Sequence, residues 1–294
     1  MKIKKDIYTG EVKLNKFTEV ETDFSARFKS MIIICLCMIA VLYVFIHGSM
    51  ITSADLKADF TNKLASPSSA HIFGTDDVGR DMYLRTIKGL SNSILVGFAA
   101  SAASLVIVLI LSILLVVFGE KVDTFINWLI DVFLSVPHMV FLIIIAVMVG
   151  RGAKGIVIGL ALTHWTSLTR VIRGEIIELK KENFISVSTQ LGKSKFYIAI
   201  HHIIPAILPQ IIIGVILLFP HAILHEAGIS FLGFGFDLQT PSIGVILSDS
   251  MKYIVQGYWH LAFFPGVLLV LFVLAINALG ENLKRIYDPS SYHR

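Results

Sequence analysis

Six long apolar stretches divide this chain, and they leave it few ways to fold. They run from about Met31 to His47, Ile94 to Phe118, Phe125 to Val149, Ile156 to Ile172, Ala206 to Phe231 and Leu261 to Leu279. A helix needs about 20 mainly apolar residues to cross the hydrocarbon core of a bilayer. Inside that core the backbone must satisfy its own hydrogen bonds, which a helix does within a single segment. The fold class expected is therefore all-α, a polytopic membrane protein with six transmembrane helices. Composition agrees: apolar types make up 55% of the 294 residues and Asp, Glu, Lys and Arg only 16%, too little charge to cover two ordinary soluble domains. The same figures exclude a disordered chain, a coiled coil, a collagen and a disulfide-stapled secreted domain.

A cleaved signal peptide is the alternative reading of the first stretch, but about thirty mixed-charge residues precede it, too many for the basic segment of such a leader. With six spans both termini share a side, and basic residues mark the cytoplasmic one. Placing the N-terminal tail, the loop after the second span, the Arg170 to His202 stretch and the C-terminal tail inside gathers 17 of the 25 Lys and Arg residues there. Among them are Lys2, Lys4, Lys5, Lys180, Lys181, Lys193, Lys195, Lys284 and Arg285, while Arg151 and Lys154 run against the trend. The organisation expected is a cytoplasmic tail over 1–30, a first span over 31–48, an extracellular loop over 49–92, a core of five spans over 93–282 and a cytoplasmic tail over 283–294. The net charge of +4 reflects this cytoplasmic face and calls for no nucleic acid. Cys35 and Cys37 stand two apart on one helix, which turns their side chains away from each other and carries no redox or metal signal.

Two polar stretches are long enough to carry function: an external one near 48–92 and an internal one near 173–204. The internal stretch continues the fourth span as Arg173-Gly174-Glu175 through Lys180-Lys181-Glu182, then reads Asn183-Phe184-Ile185-Ser186-Val187-Ser188-Thr189-Gln190-Leu191-Gly192 and ends at His201-His202-Ile203-Ile204-Pro205. Gly192 suits a helix C-cap or tight turn, and Pro205 suits the first turn of a following helix. The expectation is a short surface helix, a turn and a second helix returning to the bilayer.

The spacing from Ser186-Val187-Ser188 through Gly192 to Ile204-Pro205 resembles the EAA loop of permease subunits in bacterial ATP-binding-cassette importers. Ser186 stands where that motif has its acidic residue, and Val187 and Ser188 where it has alanines. The stretch His71-Ile72-Phe73-Gly74-Thr75-Asp76-Asp77-Val78-Gly79-Arg80-Asp81 resembles an external signature of the peptide/opine/nickel class, specifically its second permease subunit. Ile229-Ser230-Phe231-Leu232-Gly233-Phe234-Gly235, Phe264-Pro265-Gly266, Asn277-Ala278-Leu279-Gly280 and Asp288-Pro289 resemble its C-terminal signatures. The resemblance implies a multi-pass protein of the bacterial cell membrane that pairs with a homologous permease. Two cytoplasmic ATPases would bind ATP and Mg and grip the elbow through Phe184, Ser186, Val187, Ser188, Gly192, Lys193, Phe196 and Pro205. An extracellular or periplasmic binding protein would deliver substrate, and this chain would bind no cofactor and catalyse nothing.

Rival chemistries fail on particular positions. A phosphate-cradling loop needs G-x-x-x-x-G-K-[ST]; Gly192-Lys193-Ser194 supplies its second half, but Val187 occupies the first glycine position. His225-Glu226 opens an H-E-x-x-H zinc pattern, yet Ile229 stands where the second histidine belongs. An ATP-independent secondary transporter would need ionisable groups facing one another at mid-membrane, for which Asp131 and Glu226 are the acidic candidates.

His221 and His225 are four apart, which places both imidazoles on one helix face beside Glu226. Intramembrane ionisable groups face an interior or a wet cavity, and imidazole is a natural ligand of nickel, cobalt, zinc and copper. One reading puts His221, His225 and Glu226 on the translocation path, with the two histidines meeting a metal or metal chelate; the other has the histidines hydrogen-bonding to a partner subunit or water. Pro220-His221-Ala222-Ile223-Leu224-His225-Glu226 resembles the nickel and metallophore branch of the class, which makes metal cargo the expectation and di- or oligopeptides the alternative. His201 and His202 read as structural or docking residues, and His47, His71, His138, His164 and His260 as dispersed, forming no ligand set. Arg80 with Asp76, Asp77 and Asp81 reads as a salt-bridged helix cap, with a contact to the binding protein as the alternative.

Overall fold

The computed structural model describes residues 11–287, with side chains from 27 to 286. The expected roles of Lys2, Lys4, Lys5, Asp288 and Pro289 lie outside the described residues. Ten α-helices follow one another: α1 (Glu11–Met50), α2 (Met82–Phe118), α3 (Glu120–Ser135), α4 (His138–Val149), α5 (Ala153–Leu179), α6 (Asn183–Gln190), α7 (Lys195–Ile198), α8 (Ile204–Phe231), α9 (Ile243–Ile254) and α10 (His260–Tyr287). No strand occurs among the described residues. Among the described residues five helical rods are long and apolar enough to cross a bilayer, and the pair α3 and α4 makes a sixth crossing if counted as one.

That third span departs from a single straight helix. Between Ser135 and His138 the chain bends by 93°. Proline restricts the residue before it to extended backbone, and Val136 is extended at φ −100°, ψ 136°. Pro137 lends its carbonyl to Val140 and Phe141, so α4 restarts at once in a new direction. Hydropathy reads straight through this corner, because a bend changes direction and not polarity.

α2 is the central element. It packs along α5 and α8, and α1 lies against α10 and α2. Three apolar clusters stack along α2. One joins it to α3, α5 and α8 through Leu115, Ile130, Ile172 and Ile207. A second joins it to α1, α9 and α10 through Leu90, Val44, Ile246 and Leu261. The third packs it on α4, α5 and α8 through Val96, Leu142, Ile156 and Ile229. Around this interior Leu36, Ile39, Phe98, Val270 and Leu274 are exposed, as expected of side chains facing lipid tails that are as apolar as they are. Cys35 is exposed and Cys37 buried, the opposed placement that a two-residue step on a helix imposes. Trp165 is buried against Phe133, with ring centroids 5.5 Å apart, whereas Trp259 lies on the surface.

Two features go beyond the apolar pattern. α2 starts at Met82, three turns ahead of its greasy stretch. α9 is an amphipathic helix too short to span, seated on α8 so closely that a Cβ on Gly244 would lie 2.1 Å from the Ala227 carbonyl.

Candidate functional site

Three groupings carry the polar chemistry, and the first is the elbow after α5. The rod is held at its base by ion pairs and caps. Arg173 grips Asp123 of α3 with two bonds of 2.5 and 2.7 Å. Lys180 donates at 3.2 Å to the Leu115 carbonyl near the end of α2, satisfying an acceptor that the helix itself leaves open. After α6 the chain reverses at Gly192, whose φ of +74° lies where a side chain would be strained. The Ser194 hydroxyl then accepts from the Tyr197 N–H and starts α7.

Pro205 stands in the first turn of α8, as expected, but α8 does not start afresh from a loop. Residues 195–231 form one rod of 37 residues, about 55 Å long at 1.5 Å per residue and so longer than a hydrocarbon core of about 30 Å. A proline ring clashes with the carbonyl four residues earlier, here His201. The rod absorbs this by widening into a π segment over Ala199–Ile203, in which the Ile204 N–H donates to the Ala199 carbonyl. π segments are the usual relief for such an insertion.

The elbow is two-faced. Ile185, Ile198, Ala199 and Ile203 are buried in the first cluster, whereas Phe184, Val187, Leu191 and Phe196 are 44–72% exposed. Ser186 and Lys193 share the exposed side. The two histidines brace the corner: Ser188 Oγ lies 3.0 Å from His202 Nε2, and His201 stacks on Tyr197 at 4.1 Å.

The second grouping rearranges the expected histidine pair. His221 is exposed, and His225 faces α4 and α5. There it meets His138, ring centroids 4.3 Å apart, and His164, 5.5 Å away; His138 and His164 stack at 5.2 Å. One ligand nitrogen from each of the three lies within 4.8 Å of the others. His138 and His164 are thus not dispersed. Glu226, adjacent to His225 in sequence, points elsewhere, because neighbours in a helix do not share a face. It is fully buried and accepts from the Ser93 and Ser230 hydroxyls, the latter at 2.9 Å. Each histidine alone carried a signal, being an ionisable residue within an apolar helix. Their convergence did not, since α4, α5 and α8 bring together residues distant in sequence.

The third grouping lies at the start of α2. Asp81 caps the helix, accepting from Leu84 N–H at 2.9 Å, and is paired with His71 at 2.7 Å. Asp76 takes Arg80 and the buried Arg85, each at 2.6 Å, and Asp249 of α9 completes the network 3.8 Å from Arg85. Tyr253 donates to Asp77 at 3.0 Å, a bond that holds its hydroxyl above the usual phenol range. The polar segment before α2 is therefore tied to α9 by charge. Under the nearby α8–α9 connection lies a cavity of about 650 Å³ lined by Arg151, Asp237, Gln239 and Ser248. Asp131, the other acidic candidate for a mid-membrane site, is exposed and paired with Arg170 at 3.2 Å.

Apolar rods of spanning length, a broken third span and a two-faced elbow define a multi-pass membrane permease. Residues 109–291 match the profile of the family described as "Binding-protein-dependent transport system inner membrane component", and the chain belongs to that family, the permease subunits of ABC importers. It is 33% identical to the dipeptide transport system permease protein of Alkalihalophilus pseudofirmus, over 83% of this chain and 80% of that one. It is 31% identical to the oligopeptide transport system permease protein of Bacillus subtilis, over 76% and 73%. The probable D,D-dipeptide transport system permease protein of Escherichia coli is 28% identical over 86% and 85%. In fold it is similar to a chain of the MetNI methionine ABC transporter in an inward-facing conformation, with a TM-score of 0.58, 20% identity and coverage of 70% of this chain and 98% of that one.

Proposed function

We propose that this chain is one half of a heterodimeric translocation pathway in an ATP-driven bacterial importer, with both termini and the α6 elbow on the cytoplasmic side. A homologous permease forms the other half, two ATPases dock on the elbows and bind the ATP and Mg, and a binding protein outside presents the cargo. The observation that carries this reading is the elbow's exposed apolar face at the tip of a rigid rod. Burying one large apolar side chain is worth roughly 1.5–3 kcal/mol, so Phe184, Val187, Leu191 and Phe196 together offer a firm grip to a partner. Closure of the ATPases would push on α6 and α7 and, through the 37-residue rod, reorient the spans.

Di- and oligopeptides are the cargo that the relatives' names support. The second reading, nickel, cobalt, zinc or a metal chelate, is favoured by the convergence of His138, His164 and His225. Copurification tests the assembly: the tagged chain should bring down two ATPase chains, and a Val187→Glu variant should lose them. A chain that purifies without ATPases and transports without ATP would instead be a secondary transporter.

A further inference from the structure

We propose that His138, His164 and His225 form a transition-metal site inside the permease, occupied by a divalent ion of the nickel, cobalt, zinc or copper type as it passes. The proposal rests on the reading of this chain as a transport subunit and names a class of cargo for it.

Three elements each contribute one imidazole. His138 opens α4 immediately after the bend at Pro137, His164 lies within α5 and His225 in the last turns of α8. The ligand nitrogens lie within 4.8 Å of one another. A first-row ion with metal–nitrogen bonds of about 2.0–2.1 Å needs them roughly 3–3.4 Å apart, so binding would close the widest gap by about 1.4–1.8 Å. His138 lies eleven positions before Val149 in α4 and His164 eleven positions after Ala153 in α5, so both stand about 16 Å along their helices from the α4–α5 turn.

Histidines clustered only for packing would find hydrogen-bond partners, as buried polar atoms do. Here the Nδ1 atoms of His138 and His164 are buried with none, and His225 Nδ1 lies 3.1 Å from a thioether, Met139 Sδ, which is itself a soft donor. The chemistry of the set is selective. No carboxylate belongs to it, and Glu226 is held by Ser93 and Ser230. Three imidazoles suit borderline ions, whereas calcium and magnesium require oxygen ligands. Three ligands also leave coordination positions open, unlike a closed structural site with four. Such a site can take a hydrated ion or one that arrives with a small chelator's donors still attached.

The test uses the full-length chain without a histidine tag in lipid nanodiscs, titrated with cobalt chloride, nickel chloride and the nickel bis-histidine chelate. Calorimetry gives stoichiometry, and the visible spectrum of cobalt reports nitrogen coordination. One ion per chain is expected, with affinity at least tenfold weaker in His164→Ala and in the milder His225→Gln, and unchanged in His201→Ala. Binding of the free salts or of the chelate supports the site, and the stronger of the two identifies the form that is carried. If the folded His164→Ala and His225→Gln chains bind as tightly as the wild type, or if none of the three titrants binds, the site is overturned. Peptide uptake that persists alongside absent metal binding would remove the site and leave the importer reading standing. Metal binding in a chain that drives no ATP-dependent uptake would support the site and remove the importer reading.

Discussion

A carboxyl group sealed from solvent keeps its place through its partners, and those of Glu226 include the hydroxyls of Ser93 and Ser230. Glu226→Gln retains an acceptor for them and should change stability by about 1 kcal/mol or less. Glu226→Leu strands both hydroxyls, at about 1–3 kcal/mol for each buried group left unsatisfied. Thermal unfolding of the purified variants checks the order, and equal midpoints would remove the role assigned to these bonds. Burial also ranks the ion pairs. Arg85 and Asp76 are 3% and 6% exposed, so Arg85→Ala should destabilise by about 3 kcal/mol, the low end for a broken buried pair because Arg80 still holds Asp76. Arg170 and Asp131 are 56% and 73% exposed, and Arg170→Ala should change stability by less than about 1 kcal/mol. A silent Arg85→Ala would contradict the ranking. Sequence spacing exposes only partners within one helix. It paired His221 with His225, and could not show that His225 meets His138 and His164, because that meeting depends on how three helices cross.

At the scale of elements, each apolar stretch lies within a helix or, for the third, a helix pair, since the hydrophobic match to a bilayer is written residue by residue. What escaped it were matters of direction and partial polarity: the corner at Pro137, the early start of α2 and the amphipathic α9. Pro205 marks the first turn of α8 as its position suggests, but the π segment over Ala199–Ile203 that joins α8 to α7 was not legible. Replacing Pro205 by alanine restores the missing N–H and removes the clash that maintains the π segment. Pro205→Ala should therefore fold with stability within about 1 kcal/mol of the wild type or higher, while α6 and α7 rotate relative to α8. The expected outcome is normal expression with transport reduced severalfold. Full transport together with an unchanged distance between labels on α6 and α8 would show that the widened turn has no part in positioning the elbow.

The whole molecule divides into a scaffold and two different ends. The bundle around α2 supplies a scaffold, the polar network at the start of α2 ties that end to α9, and α6 presents an apolar face at the other. The first and last were legible in the sequence as greasy stretches and as the Gly192 and Pro205 landmarks. The family resemblance alone pointed to Phe184, Val187 and Phe196; their exposure could not be derived from the residues, because the packing of Ile185, Ile198 and Ile203 decides which face is left over. On the proposed reading, force enters through this elbow. The most direct test is uptake of a labelled dipeptide, and in parallel of labelled nickel, by proteoliposomes holding this chain with its partner permease, ATPases and binding protein. Uptake should require ATP and fall at least tenfold in Val187→Glu, with the bundle still folded. Uptake driven by an ion gradient without ATP, or unchanged by Val187→Glu, would contradict the account.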